Sequence, residues 1–399
     1  MRALELYLLD TEDHLSKSLV CSFFSSALLP RDAPGSSTGQ HRQANLTMTN
    51  RGGKAKIDLS RLVADLKQGP QEMRARAAKQ LLTVASSDSA DGEDSGAARV
   101  VRAGAVAPLA ALIPAGTDLG QMHSAATLAT IAAAGFSADV AEAGTIKQTV
   151  NLMRTSAGQQ VQAAAVSLLA NISTARPHRR AIVAAGAVAP LVRILKQGSM
   201  DARIQAALAM ANLADGNAEA QSMLVAGGAL PLLIASLPSG KAQMAAARAL
   251  GALCSADAED DEDEGGGGGE SSGSAEGGTI PTEIQMAILR HGGVPPLLAL
   301  LDGVNVNAQV EAARAVARLA RENTETQCAI AKAGGLGPLL ALLPSRTVAA
   351  QARGAEALAM LARHHRENQE SIARLGGVPT LVGLLAPMND VEVCHTLTL

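Results

Sequence analysis

AGAVAPLVRILKQGSMDARIQAALAMANLA, residues 185–214, ends one helix, turns sharply into a second and runs on into a third. Gly186 suits a helix end because glycine accepts the left-handed conformation there. Pro190, four residues on, suits a helix start because its missing N–H is not needed in a first turn. A longer helix follows over 202–214, where Ile204, Leu208 and Ala211 recur at three- and four-residue steps and turn one apolar face inward.

The phrase recurs along the chain. It reads AGAVAPLAAL at 103–112, AGGALPLLIASL at 226–237, HGGVPPLLALL at 291–301, AGGLGPLLALL at 333–343 and LGGVPTLVGLL at 375–385, with a degenerate copy, AGTIKQTVNLM, at 143–153. Its leading glycines are Gly104, Gly144, Gly186, Gly227, Gly292, Gly334 and Gly376, spaced by 40, 42, 41, 65, 42 and 42 residues. A third helix follows most copies: VQAAAVSLLANIS (161–173), ARIQAALAMANLA (202–214), AQMAAARALGALC (242–254), AQVEAARAVARLA (308–320) and AQARGAEALAMLA (350–362). One such unit cannot bury its apolar face, whereas stacked units can. A front unit pairs IDLSRLVADLKQG (57–69) with EMRARAAKQLLTVA (72–85).

Composition agrees with stacked helices. Of 399 residues 47% are hydrophobic but only 1% aromatic, with no Trp, one Tyr (Tyr7) and three Phe (Phe23, Phe24, Phe136). The core must therefore be Ala, Leu, Ile and Val, small enough for helices to approach closely.

The Gly break, Pro-opened second helix and NLA-like third-helix end resemble the armadillo repeat family, in pattern closest to vacuolar armadillo-protein-like and β-catenin- or importin-α-like arrays. The resemblance implies an all-α fold, a right-handed α-solenoid of about eight three-helix repeats starting near 57, 104, 144, 186, 227, 292, 334 and 376, the last incomplete. Residues 1–56 form a leader, disordered in part, and 86–96 and 257–278 are disordered insertions. The short last unit leaves open that the chain belongs to a longer protein. Family resemblance further implies a non-catalytic protein-interaction scaffold or adaptor whose third helices line a concave groove for extended segments. Importin-α-like members carry a Trp and Asn ladder there; here only Asn171 and Asn212 keep the Asn and every Trp is missing, which argues against recognition of basic import signals.

Charge points to the opposite ligand. The seven third-helix segments hold 11 Lys and Arg against 5 Asp and Glu, while the whole chain is at −3. Lys79, Asn171, Asn212, Arg248, Arg314, Arg318, Arg321, Arg353 and Arg363 are the candidate partner-binding residues, suited to acidic, extended segments. Arg314 and Arg318 are like charges at i and i+4, mildly unfavourable unless an acid joins them. The acidic run Asp260, Asp261, Glu262, Asp263 and Glu264 is a candidate autoinhibitory segment competing for that groove. A nuclear-import-type adaptor, or the recognition part of a ubiquitin ligase or other regulatory protein, are the alternatives.

Other chemistry finds little support. Gly35–Gly39 fits GxSxG but lies in a Ser/Gly-rich stretch rather than between a strand and a helix, and the glycines at 265–269 lack the following GK[ST] of a phosphate loop. Cys21, Cys254, Cys328 and Cys394 lack disulfide or zinc spacing and read as reduced thiols, placing the protein in the cytoplasm with the nucleus also open. His364 and His365, about 100° apart on a helix, cannot share one metal and read as an exposed helix end. No metal, cofactor, small-molecule substrate or nucleic acid is expected. No apolar run reaches membrane-spanning length, and Arg2 excludes N-myristoylation.

Overall fold

The computed structural model describes residues 57–87, 95–156, 158–256 and 282–385, and every regular element among them is helical. The leader and the acidic run lie outside these residues. Of the expected loop at 86–96 the ends are described. Gly96 N donates to Ser87 O at 3.3 Å, and Ser95 Oγ accepts from Ala98 N at 3.2 Å to cap helix Gly96–Arg102. Gly96 is therefore helical rather than loop.

The helices repeat in threes. We label the third helices α1 (Gln71–Ala85), α2 (Asp118–Ile131), α3 (Gln159–Ile172), α4 (Met200–Ala214), α5 (Gln243–Leu253), α6 (Val306–Ala320) and α7 (Val348–Ala362). Each packs on the next, and these are the most extensive contacts in the molecule. The first and second helices cover the other side, meeting at 84–86° in the units that begin at Gly96, Ala218 and Thr282. Beyond α7, the described residues end with helices Arg366–Arg374 and Gly377–Leu385.

The sharp first turn is made by glycine at positive φ: Gly104, Gly144, Gly186, Gly228, Gly292, Gly334 and Gly376. This corrects one register. In AGGALP the left-handed residue is Gly228 (φ 80°), not Gly227 (φ −71°), so its Pro stands three residues on, as it does after Gly376. The spacings become 40, 42, 42, 64, 42 and 42, so the break falls wholly within one unit. The degenerate copy makes the same turn at Gly144, where Thr145 Oγ1 donates to Val140 O at 2.8 Å.

The joint between a third helix and the next first helix has its own pattern, a left-handed residue followed by a capping side chain. Gly216, Glu322 and His364 take the first place at φ 67°, 52° and 56°. Asn217, Asn323 and His365 take the second, each accepting backbone N–H bonds from the new helix. His365 is thus a buried cap, its Nδ1 accepting from Asn368 N at 3.3 Å, rather than part of an exposed helix end.

Alanine makes the ladder close. Ala129, Ala165, Ala206, Ala246 and Ala313 are fully buried on successive third helices. At the seam of α5 with α6 the helices approach closely, since a Cβ on Gly251 would stand 3.1 Å from Ala315 Cα. This seam spans residues 257–281, so the array continues across the insertion without a gap in its third-helix ladder. The stretch Asp118–Glu142 is apolar enough and long enough for a membrane span, but it is two helices broken at Gly135 (φ 102°) and half buried in the array.

Candidate functional site: the third-helix face

Third helices with one face in the core leave a strip of side chains along the other, and the candidate residues divide along it by environment. Asn171 and Asn212 are buried, each 6% exposed. Asn171 Nδ2 donates to Ala129 O on the preceding third helix at 2.8 Å. Asn212 Nδ2 donates to Ala170 O at 3.2 Å and Ser173 Oγ at 3.0 Å. Both amides therefore tie neighbouring rungs together. Asn212 Oδ1 in turn accepts from Arg248 Nη2 at 3.3 Å, which fixes Arg248 on the face.

Four arginines already meet carboxylates of their own chain. Arg314 Nε lies 3.8 Å from Glu311 Oε2, Arg353 Nη1 lies 2.9 Å from Glu356 Oε2, and Arg363 Nη1 lies 3.9 Å from Glu322 Oε1. The longest-range pair is Arg318 Nη1 with Asp215 Oδ1 at 3.1 Å, where Asp215 also faces Arg179 Nη1 at 3.8 Å. The expected repulsion between Arg314 and Arg318 is thus answered inside the chain by Glu311 and Asp215. Lys79, Arg248 and Arg321 pair with no carboxylate among the described residues.

Lys79 is exposed on α1, which also carries Arg74 and Arg76. It acts on His123 of α2, whose pKa is lowered first by burial and second by the Lys79 charge. Near Arg318, burial pushes the Cys254 thiol up to about 12 against the lowering pull of that arginine, so Cys254 is an inert core side chain. Asp260 to Glu264 lie outside the described residues, so the structure does not place them against the arginines.

Several working residues escape a reading by helix pattern. Asp215 and Glu322 belong to the turns after α4 and α6, and Arg179 to helix Arg176–Ala184. Gln221, Gln285 and Gln327, each seven residues before a left-handed glycine, staple third-helix ends from their first helices. Gln221 Nε2 donates to Ala214 O (2.9 Å) and Ser255 O (2.9 Å), Gln285 Nε2 to Arg318 O (3.0 Å), and Gln327 Nε2 to Met360 O (2.8 Å). Arg179 fills the same place before Gly186, donating to Ser173 O at 3.0 Å and Asp215 O at 3.3 Å. Aligning the first helices on their glycines would have exposed this position.

Concavities are shallow. One of about 260 Å³ opens between the starts of α2 and α3, beside Leu119, Met122, Gln160 and Val161, and another of about 300 Å³ lies at Thr282, Glu283, Met286 and Arg290. Among the described residues no three His, Cys, Asp or Glu side chains gather as metal ligands. What the face offers is length, with repeated donors at near-regular intervals.

A family model for the Armadillo/beta-catenin-like repeat matches residues 176–215 and 281–321. A crystal structure of an engineered protein is similar over 84% of this chain and 75% of its own, at 32% identity and a TM-score of 0.67. The chain belongs to the armadillo repeat family. A second engineered protein is similar at 27% identity over 77% of this chain and 98% of its own (TM-score 0.49). A designed armadillo repeat protein is similar at 22% identity over 76% and 100% (TM-score 0.47). Among curated proteins none matches the chain. Both armadillo matches begin at or just before a first helix and end one residue beyond a third helix, at the equivalent positions Asp215 and Arg321. The armadillo fold is a protein-binding scaffold.

Proposed function

We propose that the protein is a non-catalytic scaffold that holds an extended acidic segment of a partner along its third-helix face, with the carboxylates lying over α5 to α7. The observation that carries this reading is the placement of arginine at successive rungs, with Arg248 held by Asn212 and Arg321 left without a carboxylate. A guanidinium offers a planar fork of donors that matches a carboxylate, and charge-assisted bonds of this kind are about twice as strong as neutral ones. An extended peptide supplies side chains at a regular interval, which suits a face built by repetition.

The test is fluorescence anisotropy with a labelled peptide of alternating Glu and Ser, compared with Gln/Ser and Lys/Ser peptides at low and physiological salt. The Glu/Ser peptide should bind best, weaken with salt, and lose roughly tenfold or more with Arg248→Glu/Arg321→Glu, since each reversal replaces an attraction by a repulsion. Preference for the Lys/Ser peptide would instead favour an import-type adaptor, and equal binding of all three would remove charge from the account.

A further inference from the structure

We propose that Asp215 is an internal competitor for the acidic ligand, occupying from within the chain an arginine site that a ligand carboxylate takes in the complex. This rests on the third-helix face being the acidic-peptide site. The geometry is that of a bound anion. Asp215 Oδ1 is 3.1 Å from Arg318 Nη1 and Oδ2 is 3.8 Å from Arg179 Nη1, so two arginines from different units converge on one carboxylate. Arg318 belongs to α6, whereas Asp215 follows α4, and the contact passes over the end of α5. An acid that bridges beyond its neighbouring unit makes the kind of contact that a strand lying along the face would make.

Asp215 is not needed to hold its own turn. Asp215 N donates to Ala211 O at 3.2 Å, Gly216 N to Ser255 Oγ at 2.9 Å, and Gln221 Nε2 to Ala214 O at 2.9 Å, all independent of the carboxylate. At the equivalent places after other third helices the chain has Thr174, Ser255, Arg321 and Arg363, so the acid is peculiar to this rung. The Asp215 and Arg318 side chains are 32% and 27% exposed, open enough for exchange with solvent ions. Pairs of this exposure are weak, and a tethered acid needs little affinity to compete because its effective concentration is high. Glu322 holds Arg363 in a looser version at 3.9 Å, each about half exposed. A ligand must therefore bring a carboxylate that outcompetes these residents, which raises the threshold against weakly acidic segments.

The experiment titrates the Glu/Ser peptide against the full chain and three variants. Asp215→Asn keeps the size of the side chain and removes its charge; it should bind roughly two- to fivefold tighter, the range set by losing a competitor worth an exposed ion pair. Glu322→Gly guards against a folding defect, since glycine accepts the φ of 52° that Glu322 holds; it should tighten binding to a smaller degree. Glu370→Gln breaks the exposed Arg366–Glu370 pair on a first helix and makes the same charge change off the face; its affinity should match wild type. Unchanged or weaker binding by both Asp215→Asn and Glu322→Gly overturns the inference, as does equal tightening by Glu370→Gln, which would reduce the effect to net charge. Binding by none of the four forms overturns the site reading itself.

Discussion

At the residue scale, the side chains that matter do two jobs, and position in the repeat decides which. Asn171 and Asn212 were legible as ladder residues, but their amides serve the seams. The arginines were legible as a positive face; their partners were not, because Asp215 and Glu322 lie one or two residues beyond the third helices and Arg179 comes from a first helix. A charge count along the third helices cannot see carboxylates placed in turns. His123 gives a pH signature. Burial and Lys79 lower its pKa below the ordinary 6.5, so the unfolded chain takes up the proton first as pH falls. The stability that His123 contributes is full above about 6.5 and is lost progressively below it, until the folded form also protonates. Urea melts should show His123→Gln losing part of this acid sensitivity, and Lys79→Gln should raise the His123 pKa in an NMR titration. An unchanged acid limb in His123→Gln would contradict this.

At the scale of the element, the helices were readable because their punctuation is chemical. Glycine supplies the left-handed turn, proline falls in the first turn of the second helix, and apolar steps of three and four mark the buried face. The slip at Gly227 and Gly228 shows the limit of that reading. Two adjacent glycines fit the pattern equally, and only backbone conformation separates them. Gly251 carries a different lesson, being required by proximity instead of by φ. A side chain there meets Ala315 on α6, and overpacking of this kind costs about 1–3 kcal/mol. Gly251→Leu should therefore lower the denaturation midpoint and separate unfolding into two steps as the α5–α6 coupling weakens. Gly240→Ala, at a site with nothing within 4 Å, should stay within about 0.5 kcal/mol of wild type. Similar melts for the two variants would show that the seam tolerates separation.

At the scale of the whole molecule, stacking turns weak units into one surface. Among the described residues the third helices form an unbroken ladder although the sequence period stretches to 64 once, because α5 packs directly on α6 across residues 257–281, with Gly251 against Ala315. Charge along this ladder is uneven. The rungs α5 to α7 and the turns that follow hold Arg248, Arg314, Arg318, Arg321, Arg353 and Arg363, α1 holds Arg74, Arg76 and Lys79, and α2 and α3 hold no Lys or Arg. Consecutive arginine-bearing rungs from α5 to α7 suit an extended acidic ligand, whereas α1 is followed by two rungs without a cation. The most direct test is photo-crosslinking with the Glu/Ser peptide carrying a benzophenone, followed by mass-spectrometric mapping of the adducts. The account predicts adducts on α5, α6 and α7 and on the turns holding Arg321 and Arg363, suppressed by an excess of unlabelled Glu/Ser peptide and by salt. Adducts concentrated on the first and second helices, with the third helices untouched, would contradict it.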